Sequence, residues 1–81
     1  MVVEIRYFAS LAQHAGCSRE SVELQDGADV TTLWRMLEQR HPGLAEVGFR
    51  PLVACDLDYA GWDRTLEGVR EVAFLPPFSG G

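Results

Sequence analysis

The chain has 81 residues, and twelve Asp and Glu oppose seven basic residues, giving a formal net charge of −5. That length holds one domain with a small core and excludes large cofactor-enclosing folds, so any chemistry is expected to involve a partner. All seven basic residues are Arg, with no basic block, which excludes phosphate backbones and anionic membranes as expected ligands.

With no Lys, the chain has no side-chain amine for Schiff-base chemistry or for isopeptide attachment to itself. Two cysteines, Cys17 and Cys55, are too few for a disulfide framework, and free thiols in a reducing cytoplasm are expected. Glu4 and Arg6 interrupt the apolar opening run, which breaks the pattern of a signal peptide. No run reaches the length of a membrane span.

Val2 to Phe8 is predicted as the first strand, with Val3, Ile5 and Tyr7 on one face and Glu4 and Arg6 on the other. Phe8 falls on the phase of Glu4 and Arg6 and is expected to face outward. Ser10 to Gly16 reads as a short helical turn, capped by Ser10 and closed by Gly16 in the left-handed region. Glu20 to Leu24 alternates as a second strand with Val22 and Leu24 inward, in a pattern compatible with antiparallel pairing to the first. Asp26-Gly27 signals the next turn. Asp29 caps the main helix, in which Val30, Leu33, Trp34 and Leu37 follow helical spacing. His41-Pro42-Gly43 is expected to end it, because Pro cannot continue the ladder and Gly can reverse the chain.

After an irregular stretch, Leu52 to Cys55 reads as a buried strand. Asp56 to Asp58 reads as a tight turn, Tyr59 to Trp62 as a candidate short strand, and Thr65 to Arg70 as a loop. Glu71 to Leu75 is the last strand, with Val72 and Phe74 inside and Ala73 and Leu75 outside. Pro76-Pro77 ends it, since proline donates no ladder hydrogen bond.

Few side chains suggest chemistry. His14, Cys17, His41 and Cys55 match a zinc set in number only. Close spacing exists only in His14-x-x-Cys17, whereas structural zinc sites use two local pairs, so no metal is expected. Cys17 follows a helix end rather than starting a helix, and Cys55 lies in an apolar strand, so neither is expected to be a nucleophile. Asp56, Asp58 and Asp63 lie close enough for acid–base work, but they fall in turns, where Asp is favoured for local hydrogen bonding. Neither GxGxxG nor a P-loop sequence occurs, and the chain is expected to bind no cofactor itself.

The unusual segment is Phe74 to Gly81, FLPPFSGG. Pro76 and Pro77 favour an extended form that projects Phe78, Ser79, Gly80 and Gly81 from the body. Gly80 and Gly81 have no side chains, so they fit a narrow channel and leave the α-carboxylate of Gly81 as the reactive group at the tip. A diglycine alone says little; joined to this length and this strand–helix order it says much more.

The opening strand ending Tyr7-Phe8-Ala9, the helix from Asp29 to Pro42, and above all EVAFLPPFSGG (71–81) resemble the MoaD/ThiS family of sulfur carriers. This family includes the MoaD-type small subunits of molybdopterin synthase, and the resemblance covers nearly the whole chain. It implies an α+β fold, the ubiquitin-like β-grasp, with a mixed sheet packed on one main helix. Residues 1–75 would be the domain and 76–81 a flexible tail. It also implies a carrier without active-site side chains of its own. An E1-like adenylyltransferase would use ATP to adenylate Gly81, and a sulfur donor would convert the acyl adenylate to a thiocarboxylate. The large synthase subunit would accept the tail, Pro76 to Gly80, and the sulfur would pass to a pterin precursor there. The implied assembly has two small and two large subunits. Phe8, Tyr59 and Leu75 are expected to form an apolar docking patch on the open face of the sheet.

The chain departs from the family pattern at Val69-Arg70, where Gly-Asp is frequent, at Ala12, where some members carry a basic residue, and at Asp56, where Asn is common. Carriers for thiamine, cysteine or tRNA thiolation also end in Gly-Gly, but the Pro-Pro-x-Ser before it favours the pterin pathway. Two readings come from other classes: a ubiquitin-like modifier joined to target lysines, and a structural interaction domain with an inert tail.

Overall fold

Strand β1 (Val2–Tyr7) follows the two-residue period of its sequence: Val3, Ile5 and Tyr7 are buried, while Glu4 and Arg6 lie half-buried on the opposite face. The computed structural model describes residues 1–78. The chain leaves β1 through Ala9, whose φ of 53° turns it into helix α1 (Ser10–Ala15). That turn puts Ala9 at the cap, so Ser10 does not fill the capping role expected of it. It is the first helical residue, and its carbonyl accepts a hydrogen bond from His14 Nδ1 at 2.8 Å. Gly16 closes the helix as expected, at φ 80°, donating its N–H to the Ala12 carbonyl at 2.9 Å.

Strand β2 (Arg19–Glu23) runs antiparallel to β1, with Val22 opposite Val3. It starts and ends one residue earlier than expected, and Leu24, just beyond it, remains buried. Helix α2 (Val30–Arg40) begins at the Asp29 cap, whose Oδ1 accepts the Thr32 N–H at 2.8 Å, and buries Val30, Leu33, Trp34 and Leu37. It ends at His41, and Pro42 opens a 3₁₀ turn (Pro42–Glu46) in place of the irregular stretch expected there. Gly43 does not reverse the chain. A Cβ at that position would lie 2.4 Å from the His14 carbonyl oxygen, so this glycine lets the 3₁₀ turn pack directly on the end of α1.

Strands β3 (Leu52–Cys55) and β4 (Asp58–Ala60) form a hairpin through Asp56 and Leu57, both at positive φ. β3 is buried on one face only. Val53 and Cys55 face the core, while Leu52 is 42% exposed, because α2 covers one side of the sheet. Strand β5 (Glu71–Leu75) lies in the middle of the sheet, whose order is β2-β1-β5-β3-β4. It is parallel to β1 and antiparallel to β3. This mixed five-stranded sheet over one main helix is the expected β-grasp arrangement. Its core includes Phe74, Ile5, Leu33, Leu37 and Val72, all fully buried. Each such side chain contributes about 1.5–3 kcal/mol relative to exposure. No helix among the described residues is long and apolar enough to cross a membrane.

Candidate functional site

The tail leaves from the best-anchored strand of the molecule. Phe74 stacks near Tyr7, with ring centroids 6.3 Å apart, and packs against Trp34 at 4.8 Å and Trp62 at 6.1 Å. Its carbonyl accepts the Phe8 N–H at 3.1 Å, extending the β1–β5 pairing to the last turn of the strand. The strand therefore delivers Pro76 and Pro77 from a fixed point and in a fixed direction. Phe78 meets the Phe49 ring edge-on at 5.3 Å, so the start of the tail touches the body, whereas no contact was expected there. Ser79, Gly80 and Gly81 lie outside the described residues.

The parallel register Tyr7↔Phe74 puts Phe8 beside Leu75 on the face opposite α2. Leu52 pairs with Leu75, and Ala54 pairs with both Ala73 and Tyr59. Tyr59, at 74% exposed, is therefore on the same open face, two strands from β5. Phe8 is half-buried, and the Arg6 guanidinium lies over its ring, 4.7 Å from the centroid. Phe8, Leu75 and Tyr59 thus share one face, and Leu52 joins them. Sequence reading passed over Leu52 by treating Leu52 to Cys55 as one buried run; the alternation of Leu52 and Ala54 against Val53 and Cys55 was the signal.

Of the candidate acid–base residues, Asp56 has a structural duty. The Asp56 carboxylate accepts the backbone N–H of Arg70 at 3.1 Å and of Glu71 at 2.9 Å, tying the β3–β4 turn to the start of β5. Its place in the family pattern is therefore filled by a side chain that organises this corner. Burial pushes the Cys55 thiol above its ordinary range in the core. Burial, followed by the Glu20 carboxylate, pushes Cys17 up as well, so neither thiol is activated for attack.

The four residues weighed as a zinc set do not assemble as such. Cys17 and His41 instead converge on Glu20. The Glu20 Oε2 accepts hydrogen bonds from the Tyr7 hydroxyl at 2.7 Å and from His41 Nε2 at 2.6 Å, and Cys17 Sγ lies 3.9 Å away. Arg40 donates to Oε1 at 2.9 Å. Burial raises the Glu20 carboxyl, but the Tyr7, Arg40 and His41 hydrogen bonds outweigh it and hold the group below its ordinary value. Burial first, then the Glu20 hydrogen bond, drives the Tyr7 phenol far upward, so it stays protonated. No local pattern announces this cluster, because its members come from β1, the α1–β2 connection, β2 and the end of α2.

The family model described as the ThiS family matches residues 5–81. The human molybdopterin synthase sulfur carrier subunit is 34% identical over 82 residues, covering 98% of this chain and 93% of that protein. Among solved structures, SAMP1 from Haloferax volcanii matches with a TM-score of 0.86 at 27% identity, each chain covered over 100% of its length. Molybdopterin converting factor subunit 1 from Pyrococcus furiosus matches with a TM-score of 0.82 at 28% identity, over 96% of this chain and 99% of that one. The strand order and the single covering helix are those of ubiquitin-like β-grasp proteins.

Proposed function

Because this chain belongs to the ThiS family, we propose that it is the sulfur carrier subunit of a molybdopterin synthase, with Gly81 as the group that carries sulfur. The observation that carries this reading is the family match running through Gly81, on a tail that continues the central strand of the sheet. A carboxylate is a poor electrophile at neutral pH. An E1-like partner would let a Gly81 oxygen attack the α-phosphorus of ATP, with pyrophosphate leaving. A sulfur nucleophile from a donor would then attack the acyl carbon, and AMP would leave as the thiocarboxylate forms. ATP belongs to that partner, and this chain holds no cofactor of its own in the scheme.

Pro76 to Gly80 would thread into the large subunit, two copies of each subunit forming the assembly, and the thiocarboxylate sulfur would pass to a pterin precursor there, water cleaving the acyl C–S bond to return Gly81 to its carboxylate. Phe8, Leu75 and Tyr59, with Leu52 between β5 and β4, supply an apolar surface for docking on that subunit. The compartment that suits this chemistry and the free thiols is the cytoplasm.

Incubation with the activating enzyme, ATP and a sulfur donor, followed by intact-mass measurement, tests the reading. The expected product is heavier by the difference between one sulfur and one oxygen, at the C terminus. A chain that never takes up sulfur under these conditions overturns it. The likeness to SAMP1, a small archaeal modifier protein, favours one second reading, attachment through Gly81 to lysines of other proteins. In that case adducts with the mass of a target protein replace the thiocarboxylate. Carriage for thiamine, cysteine or tRNA thiolation would load the same way but would fail to sulfurate the pterin precursor with the large subunit.

A further inference from the structure

The tail chemistry proposed above makes no use of the polar cluster around Glu20. Its three metal-ligating side chains lie with their donor atoms within 4.8 Å of one another: Cys17 Sγ, a Glu20 carboxylate oxygen and His41 Nε2. They are the one such group of three among the described residues. We propose that Cys17, Glu20 and His41 form a three-ligand site for a divalent cation of the zinc class, with water in the fourth position.

The donor set selects the ion. A thiolate and an imidazole beside one carboxylate suit zinc, and they disfavour calcium and magnesium, which take oxygen ligands. The geometry needs only small shifts. A tetrahedral ion with bonds of about 2.0–2.3 Å holds its ligand atoms roughly 3.3–3.8 Å apart. The Cys17–Glu20 separation of 3.9 Å is already close to that range, and the His41–Glu20 contact of 2.6 Å has to open by about one ångström.

The surroundings are those of a built ligand set. The Tyr7 hydroxyl donates to one Glu20 oxygen and Arg40 holds the other, so the carboxylate is oriented by two outer partners. The His41 ring is set edge-on against Tyr7, with centroids 6.2 Å apart. All three ligands are half-buried, which leaves a path for the ion and room for a water ligand. Charge balances: binding releases the Cys17 thiol proton to solvent, and His41 binds through Nε2 as the neutral imidazole with its proton carried on Nδ1. The thiolate and carboxylate then neutralise the dication.

The test uses the unloaded full chain, its C terminus checked by intact mass so that no thiocarboxylate contributes sulfur. Cobalt(II) is titrated in as a coloured stand-in for zinc. The expected result is one ion per chain, with tetrahedral visible bands and a near-ultraviolet thiolate-to-cobalt charge-transfer band, all displaced by zinc. Cys17→Ser should remove the charge-transfer band, and His41→Gln should weaken zinc binding at least tenfold by calorimetry. Cys55→Ala should leave both unchanged. A wild-type spectrum without the thiolate band overturns the proposal whether or not the variants fold. So does undiminished zinc affinity in folded Cys17→Ser. Either result reduces the cluster to an ion-pair network.

Discussion

The two faces of the sheet are made by the same five strands and differ in what they meet. On the inner face, Ile5, Val53, Val72 and Phe74 pack beneath α2, and Phe74 touches three aromatic rings. On the outer face the same strands present Arg6, Phe8, Leu52, Ala54, Tyr59, Ala73 and Leu75. That face is apolar toward the C-terminal end of β5, where Phe8, Leu75 and Leu52 lie with Tyr59 beyond them, while Glu4, Arg19, Ser21 and Glu71 populate the rest. The difference separates two tasks. Inner-face residues hold the fold, whereas exposed outer-face residues such as Leu52 and Tyr59 can change without leaving a cavity in the core.

Four measurements would break or sharpen that division. The largest expected effect is at the tip: deleting Gly81 should abolish sulfur loading altogether while the melting temperature stays put. Normal loading of the truncated chain would put the chemistry elsewhere. Next is the inner face. Phe74→Ala should cost about 3–5 kcal/mol in urea unfolding, a large part of the stability of a domain this size. A loss below about 1 kcal/mol would mean that the core does not depend on this ring.

The outer face should behave the other way. Phe8→Asp or Leu75→Asp should weaken binding to the large subunit tenfold or more by calorimetry, with little change in thermal stability. Unchanged affinity, or collapse of the fold, would erase the distinction between the faces. The smallest effect concerns the helix that separates inside from outside. Hydrogen bonding from Thr32, chiefly its backbone N–H, holds the Asp29 carboxyl below its ordinary value. A depressed value in the folded state means that the cap contributes fully above the ordinary Asp range and is lost as pH falls through the lowered value. Protection of the Thr32 amide against exchange should therefore decline at acid pH in the native chain. In Asp29→Asn, which caps without titrating, it should hold steady. The same pH dependence in both proteins would remove the carboxylate from the account.

Much of this is legible in the sequence. The phase of Val3, Ile5 and Tyr7 against Phe8, and of Val72 and Phe74 against Leu75, already sorted residues to opposite faces. Asp29 and Gly16 were readable because a cap is a matter of a few consecutive residues. Ser10 and Gly43 were misread for a shared reason. Whether a serine caps depends on how the chain enters the helix, which Ala9 decides. Gly43 serves a close approach to His14, 29 positions away, and no local pattern encodes that.

What the sequence by itself determined, then, is the run of strand and helix, the inward and outward sides of β1, β2, β5 and α2, and a closing EVAFLPPFSGG that resembles a sulfur carrier's. These follow from periodicity and motif, which act over a few neighbouring residues. Only the tertiary structure decided that β5 lies between β1 and β3, that Leu52 stands beside Leu75, and that Cys17, Glu20 and His41 meet. Such neighbours are set by strand register and by one helix covering one face. Both depend on contacts between residues far apart in the chain, where packing of the whole domain selects the arrangement.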